Sequence, residues 1–170
     1  MHAADWDADG DLDLIVGDIG GNLHLVPNEG TAKKWEFGKH RALMAGGEPA
    51  KVSGDAGPFV ADWEGDGYPD LIVGAGDGSV TLFRDSGERR ETGVVLLAPG
   101  RILVPPCGQP AKGADPVRPA MRAKVCVADW NGDGRLDLLV GDFAPGEGRK
   151  YHGWVWLYAR KAPSKAAAAK

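Results

Sequence analysis

The chain has 170 residues, a formal net charge of −4, 26 glycines and 12 prolines. This length is sufficient for one domain with a sizeable core, and the glycine and proline content, without a sustained helical apolar period, predicts strands and turns with little helix. The net charge does not indicate a nucleic-acid partner, and the sequence lacks the apolar run of about 18 residues that predicts a membrane-spanning helix.

A nine-residue acidic motif occurs three times, and the rest of the chain is arranged around it. We call the copies loop one (residues 5–13), loop two (residues 62–70) and loop three (residues 129–137). Oxygen-bearing side chains occupy positions one, three, five and nine of each copy, tryptophan occupies position two, and glycine occupies position six. A glycine at that point allows the chain to turn sharply.

The spacing of these oxygens predicts a cation site. Carboxylates gathered in a tight loop repel one another unless a hard cation lies among them, and oxygen ligands at this density suit Ca²⁺. An EF-hand is excluded, because its twelfth position needs a bidentate acid and here is valine in each copy. A simple polar turn is the usual explanation of one such cluster, but three matching copies favour calcium.

The strands of the first two repeats are predicted around these loops. In blade one (residues 2–45) we expect strands at 2–6, 13–17, 23–26 and 35–38. In blade two (residues 57–104) an Asp-Gly turn after the second strand predicts a tight hairpin. The expected strands of blade two are 59–61, 71–73 and 80–83, with a fourth at 94–97 or 101–104.

Blade three (residues 122–160) is the least complete copy. Strands are expected at 124–128, 138–141 and 153–158, and no pattern for a fourth strand follows. Residues 161–170 form a low-complexity, alanine-rich tail. The two cysteines, Cys107 and Cys126, permit a disulfide, and a buried free Cys126 is an equally good interpretation.

The pattern Asp-Trp-Asp-x-Asp-Gly-x-x-Asp-Leu-x-Val-Gly resembles the FG-GAP/VCBS repeat, the blade of integrin-α-like calcium-binding β-propellers. The resemblance covers residues 1–160 and implies an all-β fold of β-propeller blades: about three four-stranded antiparallel blades, the last incomplete. Closed propellers have about four to eight blades. We therefore expect a partial propeller that is a segment of a longer one, or a ring completed by self-association or by a partner, and we favour the segment.

In that family the cation lies in the hairpin between the first two strands of each blade. The resemblance implies up to three Ca²⁺ ions, with position seven offering only its backbone carbonyl. We expect loop one to bind most tightly, because Glu64 is longer than the pattern requires and Asn131 removes a charge. The implied metal ligands are Asp5, Asp7, Asp9, Asp11 and Asp13 in loop one; Asp62, Glu64, Asp66, Tyr68 and Asp70 in loop two; and Asp129, Asn131, Asp133, Arg135 and Asp137 in loop three.

The predicted function is a calcium-binding propeller module with a structural or protein-interaction role. We expect no enzyme activity, because the histidines are scattered and no nucleophile, zinc-protease or dinucleotide motif occurs. The alternatives are a lectin-like propeller, with Tyr151, Trp154, Trp156 and Tyr158 stacking on sugars, and a non-catalytic scaffold of an exported hydrolase. The partner is an unidentified protein or glycan. We expect an extracellular or periplasmic parent protein, although this chain shows no signal peptide.

Overall fold

The computed structural model describes residues 1–89, 95–108, 116–145 and 151–161. These ranges contain strands and no helix, which confirms the predicted all-β class. None of them forms a helix with the length and apolar character needed to cross a membrane. In chain order the strands are β1 (His2–Ala4), β2 (Asp13–Gly17), β3 (Leu23–Val26), β4 (Arg41–Ala42), β5 (Met44–Ala45), β6 (Glu48–Pro49), β7 (Gly57–Ala61), β8 (Asp70–Gly74), β9 (Val80–Phe83), β10 (Asp85–Arg89), β11 (Val95–Leu97), β12 (Arg101–Val104), β13 (Met121–Ala128), β14 (Asp137–Pro145), β15 (Tyr151–His152) and β16 (Val155–Tyr158).

Blade one is an antiparallel sheet with the order β1-β2-β3-β4. Its second and third strands lie where the sequence predicts them. The predicted fourth strand at residues 35–38 is wrong, because β4 is the strand that pairs with β3. The buried Asn28 explains the difference: its side-chain oxygen accepts the backbone N–H groups of Gly30 at 3.1 Å and Glu36 at 2.9 Å, which folds this segment into a compact loop.

Blade two has the antiparallel order β12-β9-β8-β7. Of the two candidates for its fourth strand, residues 101–104 are correct. The other candidate supplies β11, which belongs to a separate small sheet with the order β10-β11-β5-β6. That sheet includes one parallel pair, β11 with β5. It joins β5 and β6, which follow β4 in the chain, to β10 and β11, which lie between β9 and β12. The sequence did not predict this sheet.

Blade three pairs β14 with both β13 and β16, antiparallel in each case. The distal end of β14 also pairs with the short β15. Within the described part of the chain, no further strand pairs with β16. The predicted tail at residues 161–170 lies outside the described residues, apart from Lys161.

The core forms two layers, one on each side of blade two. Trp6, Ile15 and Leu25 of blade one pack in the first layer with Leu71 and Val73 of blade two. Ile72 and Leu82 point to the other side and pack in the second layer with Leu138 and Val140 of blade three. Every residue of β8 and β9 is therefore buried.

The solvent exposure of the tryptophan at position two of each loop shows whether the following blade covers that face. Trp6 is 1% exposed and Trp63 is 6% exposed, because blades two and three cover them. Trp130 of blade three is 64% exposed. Val155 and Leu157, which alternate in β16 with the core residues Trp156 and Tyr158, are also exposed. The face of blade three that carries Trp130 is thus open; we call it the open face.

The glycine that ends the second strand shows the same arrangement. A Cβ atom built on Gly17 or Gly74 would lie 2.3 Å from the carbonyl oxygen of Ala56 or Ala123, at the start of the next blade. Only glycine permits that approach. At Gly141, the nearest atom to such a Cβ is 3.9 Å away and belongs to blade three itself. The glycine of the Leu-x-Val-Gly pattern therefore serves the packing of consecutive blades.

Candidate metal centre

Each acidic loop connects the first two strands of its blade. Loop one joins β1 to β2, loop two joins β7 to β8, and loop three joins β13 to β14. Position nine of each loop is the first residue of the second strand, because Asp13, Asp70 and Asp137 pair with Ala4, Ala61 and Ala128. The loops therefore lie in the hairpin that the family resemblance implied.

The first position of each loop holds the turn by accepting a backbone hydrogen bond. The N–H groups of Gly10, Gly67 and Gly134 donate to Oδ2 of Asp5, Asp62 and Asp129 at 3.2, 2.9 and 2.9 Å. The carboxylate of position five accepts the backbone N–H of position seven, with N···O distances of 3.0 to 3.1 Å in all three loops. The same two backbone hydrogen bonds therefore recur in all three loops.

The aspartate at position nine ties three segments of each blade together. Its Oδ2 accepts the N–H of the position-two tryptophan, at 3.2 Å for Asp13, 3.1 Å for Asp70 and 3.2 Å for Asp137. Its Oδ1 accepts an N–H from the chain after the third strand, at 2.7 to 2.9 Å. All three carboxylates are buried. Burial raises the pKa of Asp13 and Asp70 despite these bonds.

Loop one brings acidic oxygens closest together. One carboxylate oxygen from each of Asp5, Asp7 and Asp9 lies within 4.8 Å of the others, the one such cluster among the described residues. Oδ1 of Asp7 and Oδ1 of the buried Asp11 are shielded from solvent and have no hydrogen-bond partner. Burial, and then the negative charges of Asp9, Asp5 and Asp11, raise the pKa of Asp7. Repulsion of this kind is what a bound cation relieves.

Arginine side chains contact the acids of the other two loops. In loop two, Arg84 Nη2 lies 3.4 Å from Asp66 Oδ2 and Arg101 Nη2 lies 3.0 Å from Glu64 Oε1. In loop three, Arg135 Nη2 pairs with Oδ2 of Asp133. The acids of loop two share the hairpin geometry of loop one but do not form a cluster of comparable tightness. In loop three, Asp129 Oδ1 and Asn131 Oδ1 both accept the N–H of Asp133, at 3.0 and 2.9 Å.

Three features of the loops were not recognised in the sequence. The hydrogen bonds of position nine were missed because a metal motif already accounted for those aspartates. Arg84 and Arg101 lie 18 and 37 residues from their partners, so spacing gave no signal. Ala8 has a φ of 65°, in the left-handed region, where the matching residues of the other loops are glycine; that comparison was available in the sequence.

The remaining candidate groups are dispersed. Cys107 and Cys126 are both free, so they form no disulfide. Cys126 is also exposed on the face of β13 opposite the core, so the alternative of a buried free Cys126 is wrong too. Trp156 and Tyr158 pack against the second core layer. Tyr151 is exposed and stacks on Phe143, with ring centroids 4.7 Å apart.

Four-stranded antiparallel sheets that pack face to face, each with an acidic hairpin loop between its first two strands, define a β-propeller-like repeat protein. The family model for the FG-GAP-like repeat matches residues 5–73 and 62–140. The chain belongs to the FG-GAP-like repeat family, which confirms the resemblance seen in the sequence. Searches of curated proteins and of solved structures found no match.

Proposed function

We propose that the chain is a calcium-binding β-propeller module with a structural or protein-interaction role. The observation that supports calcium is the state of loop one: three converging carboxylates, with Oδ1 of Asp7 and Asp11 buried and unpaired. Buried anionic oxygens without partners cost free energy. Asp5, Asp7 and Asp9 are the side chains that would hold the ion, and their hard oxygen ligands suit Ca²⁺.

The ion would act on stability. Calcium supplies positive charge that offsets the repulsion among these carboxylates, and the side chains then fix the hairpin between β1 and β2. Because the unfolded chain does not hold the ligands together, binding free energy becomes folding free energy. At a calcium concentration about 100 times the Kd, the gain is about 2.7 kcal/mol. For a chain of this length, that gain raises the Tm by roughly 5–10 °C.

Thermal unfolding in EDTA and in excess Ca²⁺ tests the proposal. The Tm of the wild-type chain should rise by that amount on adding calcium. The Asp7→Asn/Asp9→Asn double variant should lose most of the rise, because it removes two charges from the cluster. Glu48→Gln, which removes an exposed charge in β6, is the matched control and should respond like wild type. A Tm that is the same with chelator and with calcium would contradict calcium binding.

The interaction role is supported by the open face. Trp130, Val155 and Leu157 are exposed there, and Gly141 leaves space for a close approach. The equivalent faces of blades one and two are each covered by the following blade. We therefore propose another FG-GAP-like blade as the partner of this face. Native mass spectrometry tests one source of that blade: an oligomer that Trp130→Lys dissociates supports a second copy of this chain, and a monomer counts against it.

We also propose that the parent protein works outside the cell or in the periplasm. FG-GAP-like repeats are typical of extracellular proteins. Millimolar extracellular calcium also saturates weak sites. We propose no enzymatic activity for the chain. Turnover of any member of a glycosidase, esterase or protease substrate panel would contradict this.

A further inference from the structure

The three loops differ in the positive charges that surround them. Loop two has two arginine partners, Arg84 on Asp66 and Arg101 on Glu64, and both come from other parts of blade two. Loop three has one, Arg135 on Asp133, within the loop itself. Among the described residues, no lysine, arginine or histidine nitrogen pairs with an acid of loop one. The loop with the tightest acid cluster is therefore the loop without a protein cation.

Position seven shows the contrast most directly. Loop one has Asp11 at this position and loop three has Arg135. Asp11 is 6% exposed and its Oδ1 has no partner, whereas Arg135 neutralises the neighbouring Asp133. Loop one thus combines five aspartates with no arginine, loop two combines four acids with two arginines, and loop three combines three acids with one arginine.

We propose that Arg84, Arg101 and Arg135 are built-in counterions that replace calcium in loops two and three, so that loop one is the single tight calcium site of this chain. The inference rests on the proposed calcium-binding function and specifies its stoichiometry. Loops two and three hold their shape through backbone hydrogen bonds to positions one and five, and the arginines offset the remaining carboxylate charge.

An arginine opposes calcium binding in two ways. Its guanidinium occupies a carboxylate oxygen that the ion would use, and its charge repels a divalent cation a few ångströms away. The pairs are partly solvent-exposed, which limits the effect of each one. We expect removal of one guanidinium to raise the calcium affinity of its loop by about tenfold.

Calcium titration by isothermal calorimetry, on protein stripped with chelator, measures both stoichiometry and affinity. The wild-type chain should bind one Ca²⁺ tightly. Arg101→Gln and Arg135→Gln should each strengthen a second, weaker binding event by about tenfold, and combining them with Arg84→Gln should give three ions. Arg122→Gln is the control, because Arg122 pairs with Asp55 at 2.7 Å, outside the loops. Circular dichroism and the Tm in EDTA establish that each variant is folded.

The outcomes separate this inference from the proposed function. A wild-type chain that binds no calcium refutes the proposed function itself. Three equivalent ions in the wild-type chain, or arginine variants that titrate like wild type, overturn the inference and leave calcium binding intact. If the triple variant fails to fold, Arg101→Gln alone decides the matter, because the Arg101 side chain is 60% exposed and its loss leaves no buried gap.

Discussion

Asp70 offers the sharpest test of the structural role of position nine. The residue is fully buried, and its carboxylate accepts backbone N–H groups from three residues: Trp63 at 3.1 Å, Glu64 at 3.3 Å and Asp85 at 2.9 Å. These donors come from the start of loop two and from the chain beyond β9. Asp70→Ala removes the acceptor and leaves the donors in place.

The cost of Asp70→Ala follows from the donors left behind. The bonds to Trp63 and Asp85 are buried, and each unsatisfied buried N–H costs about 1–3 kcal/mol, so we expect a loss of about 2–6 kcal/mol. Asp70→Asn keeps one acceptor oxygen. It also avoids the burial of a charge, which raises the pKa of Asp70 and disfavours its ionised form. Its NH2 group cannot accept a hydrogen bond, so at least one buried N–H is left unsatisfied, and the asparagine variant should lose about 1–3 kcal/mol.

Urea unfolding followed by tryptophan fluorescence measures these losses. The experiment is done in EDTA, so that a change in calcium affinity does not enter the free energy of unfolding. Asp66→Asn is the control: Asp66 belongs to the same loop but is partly exposed, and loss of its pair with Arg84 should cost under about 1 kcal/mol. If Asp70→Ala lowers the free energy of unfolding no more than Asp66→Asn does, the hydrogen bonds of position nine do not stabilise the blade as we expect.

Three other predictions test separate parts of the fold. Ala8→Gly should raise the free energy of unfolding by about 0.5–1 kcal/mol by relieving the left-handed φ, and Gly65→Ala should lower it; shifts of the same sign would contradict this. Gly74→Ala should cost about 2 kcal/mol or more through its clash with the next blade, and Gly141→Ala, which meets no blade, under about 1; equal thermal shifts would refute the packing argument. Hydrogen bonds from the Asn22 side chain and backbone lower the pKa of Asp18 to about 2, so Asp18 stabilises the fold above its ordinary pKa near 3.8. The difference in urea midpoint between wild type and Asp18→Asn should therefore shrink as the pH falls from about 4 and be lost below about pH 2, and a difference that persists below pH 2 would disprove it.

Much of the fold was predictable because local sequence and tertiary position agree. The apolar, β-branched runs after each loop become β2, β8 and β14, and the turns after two of them place β3 and β9 at the predicted residues. The fourth strands were less certain. Such outer strands are short and partly exposed, as β4 is, and leave little periodic signal.

Long-range contacts account for what the sequence did not predict. The small sheet depends on β5 meeting β11, a parallel pair between distant segments with no local pattern. The side-chain oxygen of Asn28 accepts backbone N–H groups from Gly30 and Glu36 and so folds residues 28–37 into a loop. A single asparagine in the sequence gives no sign of this role. The roles of Asp13, Asp70 and Asp137 were missed for a different reason. The metal motif already accounted for them as ligands, so their hydrogen bonds to the backbone were not predicted.

The shared hydrogen bonds separate two tasks that the nine-residue motif combines. Positions one, five and nine accept backbone N–H groups in all three loops. Positions three and seven differ between loops, and with the nearby arginines they set the local charge. A motif of this spacing therefore predicts the hairpin in every copy, whereas calcium depends on carboxylates left unpaired at positions three and seven. By that criterion Asp7 and Asp11 make loop one the calcium site that we propose, and in loops two and three arginine pairs offset part of the carboxylate charge.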